Sequence, residues 1–292
     1  MALETLTLTI PSEALGVTTE LLLARPAGIE RPLPGLVLLR GRPDEWLNPH
    51  EDETRGGRSL ETVVADLLGR GWMTPLCLVL PRTLNGGGDG FVVCGDPLAP
   101  ERLADRSFIG TGAFDRALDD ELLPAARQAG WLAAGPLAID GFSLGGAAAV
   151  YQAMRRPERY ISCGSYDGSF LMLDFDDPRR FPETPSDLRL DRLSWLYGFP
   201  PDEDVFRARE AIPRLQRDAS ALKTPLILHH SAKETPDSNS HRVRALIRVL
   251  GGLDQATPAL LDPHSDHTWW WVDEHLYRTL PIHSRRLLAS SS

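Results

Sequence analysis

The stretch Asp140-Gly141-Phe142-Ser143-Leu144-Gly145-Gly146 constrains this chain more than any other. Gly135-Pro136-Leu137-Ala138-Ile139, just before it, reads as a short buried strand. Ala147 to Met154, just after it, reads as a helix that starts on small residues. A serine framed by Gly141 and Gly145 at a strand-to-helix turn is a nucleophile-elbow pattern. The turn is so tight that flanking side chains would collide with the neighbouring strand or helix, and glycine removes them. The serine hydroxyl then projects above the sheet edge. The N–H of Leu144, at the helix start, can face an oxyanion. An ordinary turn with packing glycines is the alternative; the strand before and Gly146-Ala147 behind weigh against it.

The rest of the chain alternates strand and helix around this turn. Glu4 to Ile10 alternates polar and apolar, as a half-exposed strand does, and Thr18 to Ala24 is expected to pair with it as an antiparallel edge. Leu36 to Leu39 and Leu76 to Leu80 are continuously apolar, as strands covered on both faces must be. Ser59 can cap a helix whose residues Leu60, Val63, Val64, Leu67 and Leu68 share a face. A further helix is expected through Glu121-Leu122-Leu123-Pro124, and strands at Tyr160–Ser165, Leu226–His230 and Ala259–Leu261. Asp202-Glu203-Asp204 leads into a helix through Leu215, Val243 to Leu250 forms another, and a last helix follows Trp269. The alternation predicts a mostly parallel sheet with helices on both faces and ligand chemistry at the carboxyl ends of the strands. From Ser169 to about Ala211 the chain loses strand pattern and gains prolines, acids and aromatics, among them Phe181 and Trp195. This is expected to be a lid-like insertion within a single domain. The run Asn85-Gly86-Gly87-Gly88-Asp89-Gly90 lacks the following lysine and helix of a phosphate cradle and is read as a loop at the rim of a site.

Composition narrows the classes of function. The 292 residues carry 31 basic against 40 acidic side chains, a net charge of −9, which argues against nucleic acid or an anionic membrane as partner. Cys77, Cys94 and Cys163 are too few and too odd in number for a disulfide framework. The start of the chain carries no secretory pattern, so a cytoplasmic protein is expected.

Ser143 needs a base, because a free hydroxyl is a poor nucleophile at neutral pH. His267 fits, on the loop between the last strand and the last helix, with His264 as its rival. His50, His241, His275 and His283 are read as surface histidines. A carboxylate must hold the tautomer of the base. Glu234 and Asp237, on the loop after Leu226–His230, both fall between Ser143 and His267, giving the order serine, acid, histidine of α/β-hydrolases. Glu234 is favoured, because Asp237 heads a polar run that looks like a helix cap. Should neither serve, Asp167 after Tyr160–Ser165 is the next candidate. The second oxyanion donor is expected from the loop Arg40-Gly41-Arg42, as the N–H of Gly41 or Arg42. Arg40 and Arg42 could instead bind an acidic substrate group or face solvent.

On these residues the chain resembles the putative esterase (esterase D) family of α/β-hydrolases, which includes feruloyl esterases, S-formylglutathione hydrolases and enterochelin-esterase-like proteins. The similarity runs roughly from Leu36 to Leu280. Its most specific piece is Gly141-Phe142-Ser143-Leu144-Gly145-Gly146, with Glu121-Leu122-Leu123-Pro124 before it and Pro157 after the helix. Where the family often has Leu-Leu-His-Gly, Gly-Thr-x-Asp and Gly-His-x-Trp, this chain has Leu38-Leu39-Arg40-Gly41, Ser231-Ala232-Lys233-Glu234 and Asp266-His267-Thr268-Trp269. The resemblance implies an α/β-hydrolase fold, with Ser143 as nucleophile, His267 as base and Glu234 as acid. It implies a small-molecule ester as substrate and no cofactor, and leaves acyl and alcohol groups open. Arg40 in place of histidine changes the oxyanion loop, and glutamate at 234 lengthens the acid arm. Three other readings compete: acyl transfer or peptide cleavage by the same residues, a metal-dependent hydrolase using His229, His230, His264 and His267, and a silent hydrolase fold used for binding. No tight metal-ligand spacing supports the second of these, and no metal is expected.

Overall fold

The structure is a computed structural model that describes residues 2–83, 95–99, 110–171, 196–198, 202–235, 238–252 and 260–290. Its centre is a seven-stranded sheet in the order β1-β2-β4-β3-β5-β6-β7. Here β1 is Leu3–Ser12, β2 Val17–Pro26, β3 Gly35–Leu39, β4 Cys77–Pro81, β5 Leu137–Gly141, β6 Tyr160–Tyr166 and β7 Leu226–His229. The pair β1–β2 is antiparallel, and β2 joins β4 antiparallel. From β4 through β3, β5 and β6 to β7 every pairing is parallel. The antiparallel edge and the parallel centre both follow the hydrophobic pattern.

The fully buried strands serve two cores, because successive side chains point to opposite faces. Val37 and Leu39 enter one core and Leu36 and Leu38 the other. Helices α1 (Leu60–Gly69) and α7 (Trp269–Ser290) cover the second face. The first face is covered by α2 (114–128), α3 (Leu144–Arg155), α4 (Glu203–Arg209), α5 (Ala211–Arg217) and α6 (Ser240–Gly251).

Prolines account for two departures from regular helix. Within α2, Ala117–Leu122 forms a π turn just ahead of Pro124. Proline has no N–H for the carbonyl four residues back and its ring crowds that carbonyl, so a wider turn relieves the clash. The single helix expected after Asp202 is split at Glu210, which is extended at φ −71° and ψ 136°. The break places Pro213 in the first turn of α5, where its missing N–H costs nothing. Asp202 caps α4 by accepting from the Val205 N–H. Of the strand expected at Ala259–Leu261, only the Leu260 bridge to His230 falls within the described residues. Most of the expected lid, with Phe181 and Trp195, lies outside them, as do the glycine run at 85–90, Cys94 and Asp237.

His275 and His283 are not on the surface. They are 1% and 0% exposed, on the inner face of α7. Together with Thr279 they recur every fourth residue and so share one helix face. All three meet Asp140 of β5: His275 Nε2 and Thr279 Oγ1 donate to its carboxylate at 2.9 and 2.8 Å, and His283 Nε2 at 3.1 Å. His229 Nδ1 of β7 stands 2.8 Å from His275 Nδ1, and His283 Nδ1 stands 2.8 Å from Ser162 Oγ of β6. One helix is thus pinned by polar contacts to the strands β5, β6 and β7. The Asp140 carboxyl is held well below the usual range; burial opposes its charge, but the charge and hydrogen bonds of His275 and His283 outweigh it.

This network makes the fold acid-sensitive. Burial first, and then the charge of His275, lower His229 to about 3 from its ordinary 6.5. The unfolded chain therefore binds more protons between those values. The contribution of His229 is complete above the ordinary value and is lost as pH falls towards the depressed one, by up to about 1.4 kcal/mol per pH unit. Asp140, also depressed, loses its contribution at still lower pH. The melting temperature is expected to fall between pH 7 and pH 4, and His229→Asn to flatten that slope. A melting temperature independent of pH over this interval contradicts the assignment.

Candidate active site

Ser143 ends the turn between β5 and α3 with φ 57° and ψ −121°. It and Asp167, at φ 47°, are the only non-glycine residues with positive φ among the described residues. Such strain costs about 1–3 kcal/mol and collects where function demands a geometry. The glycines around Ser143 are steric necessities. A Cβ on Gly141 would lie 2.2 Å from the Gly145 carbonyl oxygen, and one on Gly145 would lie 1.8 Å from that of Leu39. Gly145→Ala is expected to destabilise the protein by about 3 kcal/mol, as overpacking against rigid backbone does. Gly69→Ala, with open space around it, is the control and should be neutral or better. Thermal melting compares the two.

The loop after β6 delivers Asp167, and the start of α7 brings His267 to it. His267 Nδ1 donates to Asp167 Oδ2 at 2.6 Å, with the carboxylate fully buried. The same carboxylate accepts from the Ser231 N–H at 3.2 Å, Ser231 Oγ at 3.1 Å and the Asn239 N–H at 3.0 Å. Burial opposes its charge, but the hydrogen bond and charge of His267 and the two main-chain N–H groups prevail and hold it below the ordinary aspartate value. With Nδ1 protonated, Nε2 is left as the basic nitrogen of a neutral imidazole. The imidazole lies against Phe142, with ring centroids 4.6 Å apart, which sets it beside the residue preceding Ser143. The hydroxyl of Ser143 itself stands 3.4 Å from Ser169 Oγ.

The carboxylate bonded to His267 is not the one expected from the sequence. Glu234 points outward, its side chain 66% exposed and ion-paired with Arg244 of α6. The long arm finds a cation at the surface, and the imidazole it was expected to orient is already bonded to Asp167. Asp237 lies outside the described residues. His264 lies on the surface loop, its N–H bonded to Asp262. Asp167 carried a readable signal: it follows the last residue of a buried strand and precedes a glycine, and aspartate tolerates the left-handed conformation needed there.

The oxyanion candidates separate as well. The Leu144 N–H and the Gly41 N–H have no acceptor within hydrogen-bond distance among the described residues. The Arg42 N–H does: it donates to Glu45 Oε1 at 2.8 Å, so it is committed to its own loop and unavailable to a substrate. Gly41 is the second residue after β3, whose end meets the elbow: the Phe142 N–H donates to the Leu39 carbonyl at 3.2 Å. The Arg40 guanidinium stacks over the Phe142 ring at 4.9 Å and approaches Glu45 at 3.6 Å.

Arg55, which no sequence motif marks, fixes this loop to α7. It is 0% exposed and donates from Nε and Nη2 to both carboxylate oxygens of Asp273, at 3.1 and 2.9 Å. It also donates to the carbonyls of Glu45, Trp46 and Asn48. The loop bearing Gly41 and the helix following His267 are therefore tied by one buried side chain. Among the described residues, no group of three or more histidines, cysteines or carboxylates is arranged to hold a metal ion.

A parallel sheet with two antiparallel edge strands, a serine at a strained strand-to-helix turn and a histidine beyond the last parallel strand define the α/β-hydrolase fold. The family model described as "Putative esterase" matches residues 92–282, and the chain belongs to that family, a family of carboxylesterase-type hydrolases. Among solved structures, a ferulic acid esterase superposes with a TM-score of 0.70 at 14% identity, over 98% of this chain and 99% of that one. An S-formylglutathione hydrolase from Agrobacterium tumefaciens gives 0.69 at 17% identity, over 97% and 95%. An enterochelin esterase from Shigella flexneri gives 0.62 at 15% identity, over 97% of this chain and 59% of that chain. No curated protein matches the sequence. No helix among the described residues is long and apolar enough to cross a membrane.

Proposed function

We propose that this protein is a serine esterase that cleaves a small-molecule carboxylic ester through an acyl-enzyme on Ser143. The observation that carries the reading is the 2.6 Å contact between His267 Nδ1 and the buried Asp167, beside a serine held at φ 57°. Ser143 Oγ attacks the ester carbonyl while His267 Nε2 takes its proton. Asp167 fixes the tautomer and balances the imidazolium that forms. The N–H groups of Leu144 and Gly41 receive the oxyanion, a task for donors that need no reorganisation. The imidazolium then gives its proton to the leaving alcohol. Water, activated by the same histidine, releases the acid and regenerates the serine.

Pre-steady-state hydrolysis of a p-nitrophenyl ester tests the acyl-enzyme. The expected result is a burst of nitrophenolate that approaches one equivalent per Ser143 when deacylation is slow, across a panel of acyl lengths and aryl groups. A metal-assisted attack by water would give no stoichiometric burst with any ester and would lose activity with chelator.

A further inference from the structure

At the far end of α3 from Ser143 lies a cleft of about 410 Å3 whose lining includes Arg155, Arg207, Arg209, Arg214 and Arg217, together with Tyr151 and Asp218. In a chain of net charge −9 this is a local excess of positive charge. Two of the five are neutralised: Arg155 donates to Asp119 at 2.8 Å and Arg207 to Glu203 at 2.6 Å. The others are not. Arg209 Nη1 donates to the carbonyls of Asp96 and Leu196, at 2.6 and 3.3 Å, and Arg214 Nη2 to the carbonyl of Met154 at 3.1 Å. Among the described residues, no carboxylate stands within ion-pair distance of Arg209, Arg214 or Arg217. Asp218 opposes them with one charge, and its oxygen already accepts from the N–H and hydroxyl of Ser220.

A guanidinium presents five N–H donors in a planar fork. Arg209 and Arg214 each use a single nitrogen on the protein, and those bonds hold the side chains in place while leaving the rest of each fork to a ligand. Forks of this kind match phosphate oxygens two at a time, and a concave surface of one sign focuses the field. The volume exceeds what a single inorganic phosphate fills and sits at the small end of ligand sites, about 300–1,000 Å3.

We propose that this cleft binds a diphosphate group, either free pyrophosphate or the diphosphate of a nucleotide. Arg155 is the last residue of the helix that begins after Ser143, so at about 1.5 Å per residue the cleft lies about 18 Å from the serine. The site is separate from the ester-cleaving one and stands or falls independently of it.

Isothermal titration of the full chain at low ionic strength, with pyrophosphate, ADP and inorganic phosphate in separate arms, tests the proposal. One-to-one binding of pyrophosphate or ADP is expected, tighter than that of phosphate by at least tenfold. Tighter ADP than pyrophosphate assigns the site to a nucleotide, and equal affinities assign it to the free diphosphate. Arg214→Gln/Arg217→Gln should weaken binding at least tenfold with the melting temperature retained. Ser143→Ala should bind as wild type, as should Arg70→Gln/Arg127→Gln, which removes the same charge elsewhere. Absence of binding at millimolar pyrophosphate and ADP, phosphate binding as tightly as pyrophosphate, or an equal loss in both arginine pairs would overturn the proposal.

Discussion

Ser143→Ala is expected to lower ester turnover by roughly a millionfold while the protein remains folded. The hydroxyl is the atom that forms the bond to the acyl group, and nothing nearby replaces it; Ser169, 3.4 Å away, has no base of its own among its described contacts. The turn itself does not depend on the hydroxyl. It is held by the Ser143 N–H donating to the Tyr166 carbonyl and the Gly145 N–H donating to that of Phe142, at 3.0 and 2.8 Å. Both bonds survive the substitution, so the melting temperature should stay close to wild type. A residual rate above water is expected, because the N–H groups of Leu144 and Gly41 still receive an oxyanion. Turnover above about a tenth of wild type would be incompatible with covalent catalysis at this residue.

Asp167→Asn should lower kcat by about ten-thousandfold, and Glu234→Gln should leave it within about twofold. Asparagine keeps the shape of the side chain but can donate to Nδ1, which stabilises the tautomer with its proton on Nε2, where the base must be free. It also cannot balance the imidazolium. The carboxylate accepts from His267, from the Ser231 main chain and hydroxyl and from the Asn239 main chain, so a stability loss of about 1–3 kcal/mol accompanies the kinetic one. Glu234 loses only an exposed ion pair with Arg244, worth little in water. Steady-state kinetics on the two variants separates the assignments: an active Asp167→Asn with an inactive Glu234→Gln reverses them.

The elbow was legible because its constraint is local. Gly141, Ser143 and Gly145 meet one another and the adjacent strand end, and the geometry is written in consecutive residues. The parallel centre was legible for a similar reason: Leu36–Leu39 and Leu76–Leu80 have no polar position to spend on solvent. The carboxylate bonded to His267 was not, because its environment is assembled from afar. Asp167 is set in place by Ser231 and Asn239, which fold back from beyond β7, and its partner histidine lies a hundred positions away. Reading outward from the end of β7 favoured Glu234, and its partner Arg244, ten residues on, could not be seen as the competitor it is. The same blindness placed His275 and His283 on the surface. Their spacing on α7 is polar in sequence, and only the carboxylate of Asp140 opposite makes that face an interior one. Arg55 belongs to this class too, since its partner Asp273 lies on the last helix.

Ser143 is proposed as an activated nucleophile oriented by the His267–Asp167 pair. Labelling of the intact protein with a fluorophosphonate probe, followed by peptide mass spectrometry, tests it most directly. One adduct is expected, on Ser143, formed at the same rate with or without chelator and formed at least a hundredfold more slowly in Asp167→Asn. An enzyme that hydrolyses esters yet takes no adduct, or takes it on a residue other than Ser143, would contradict it.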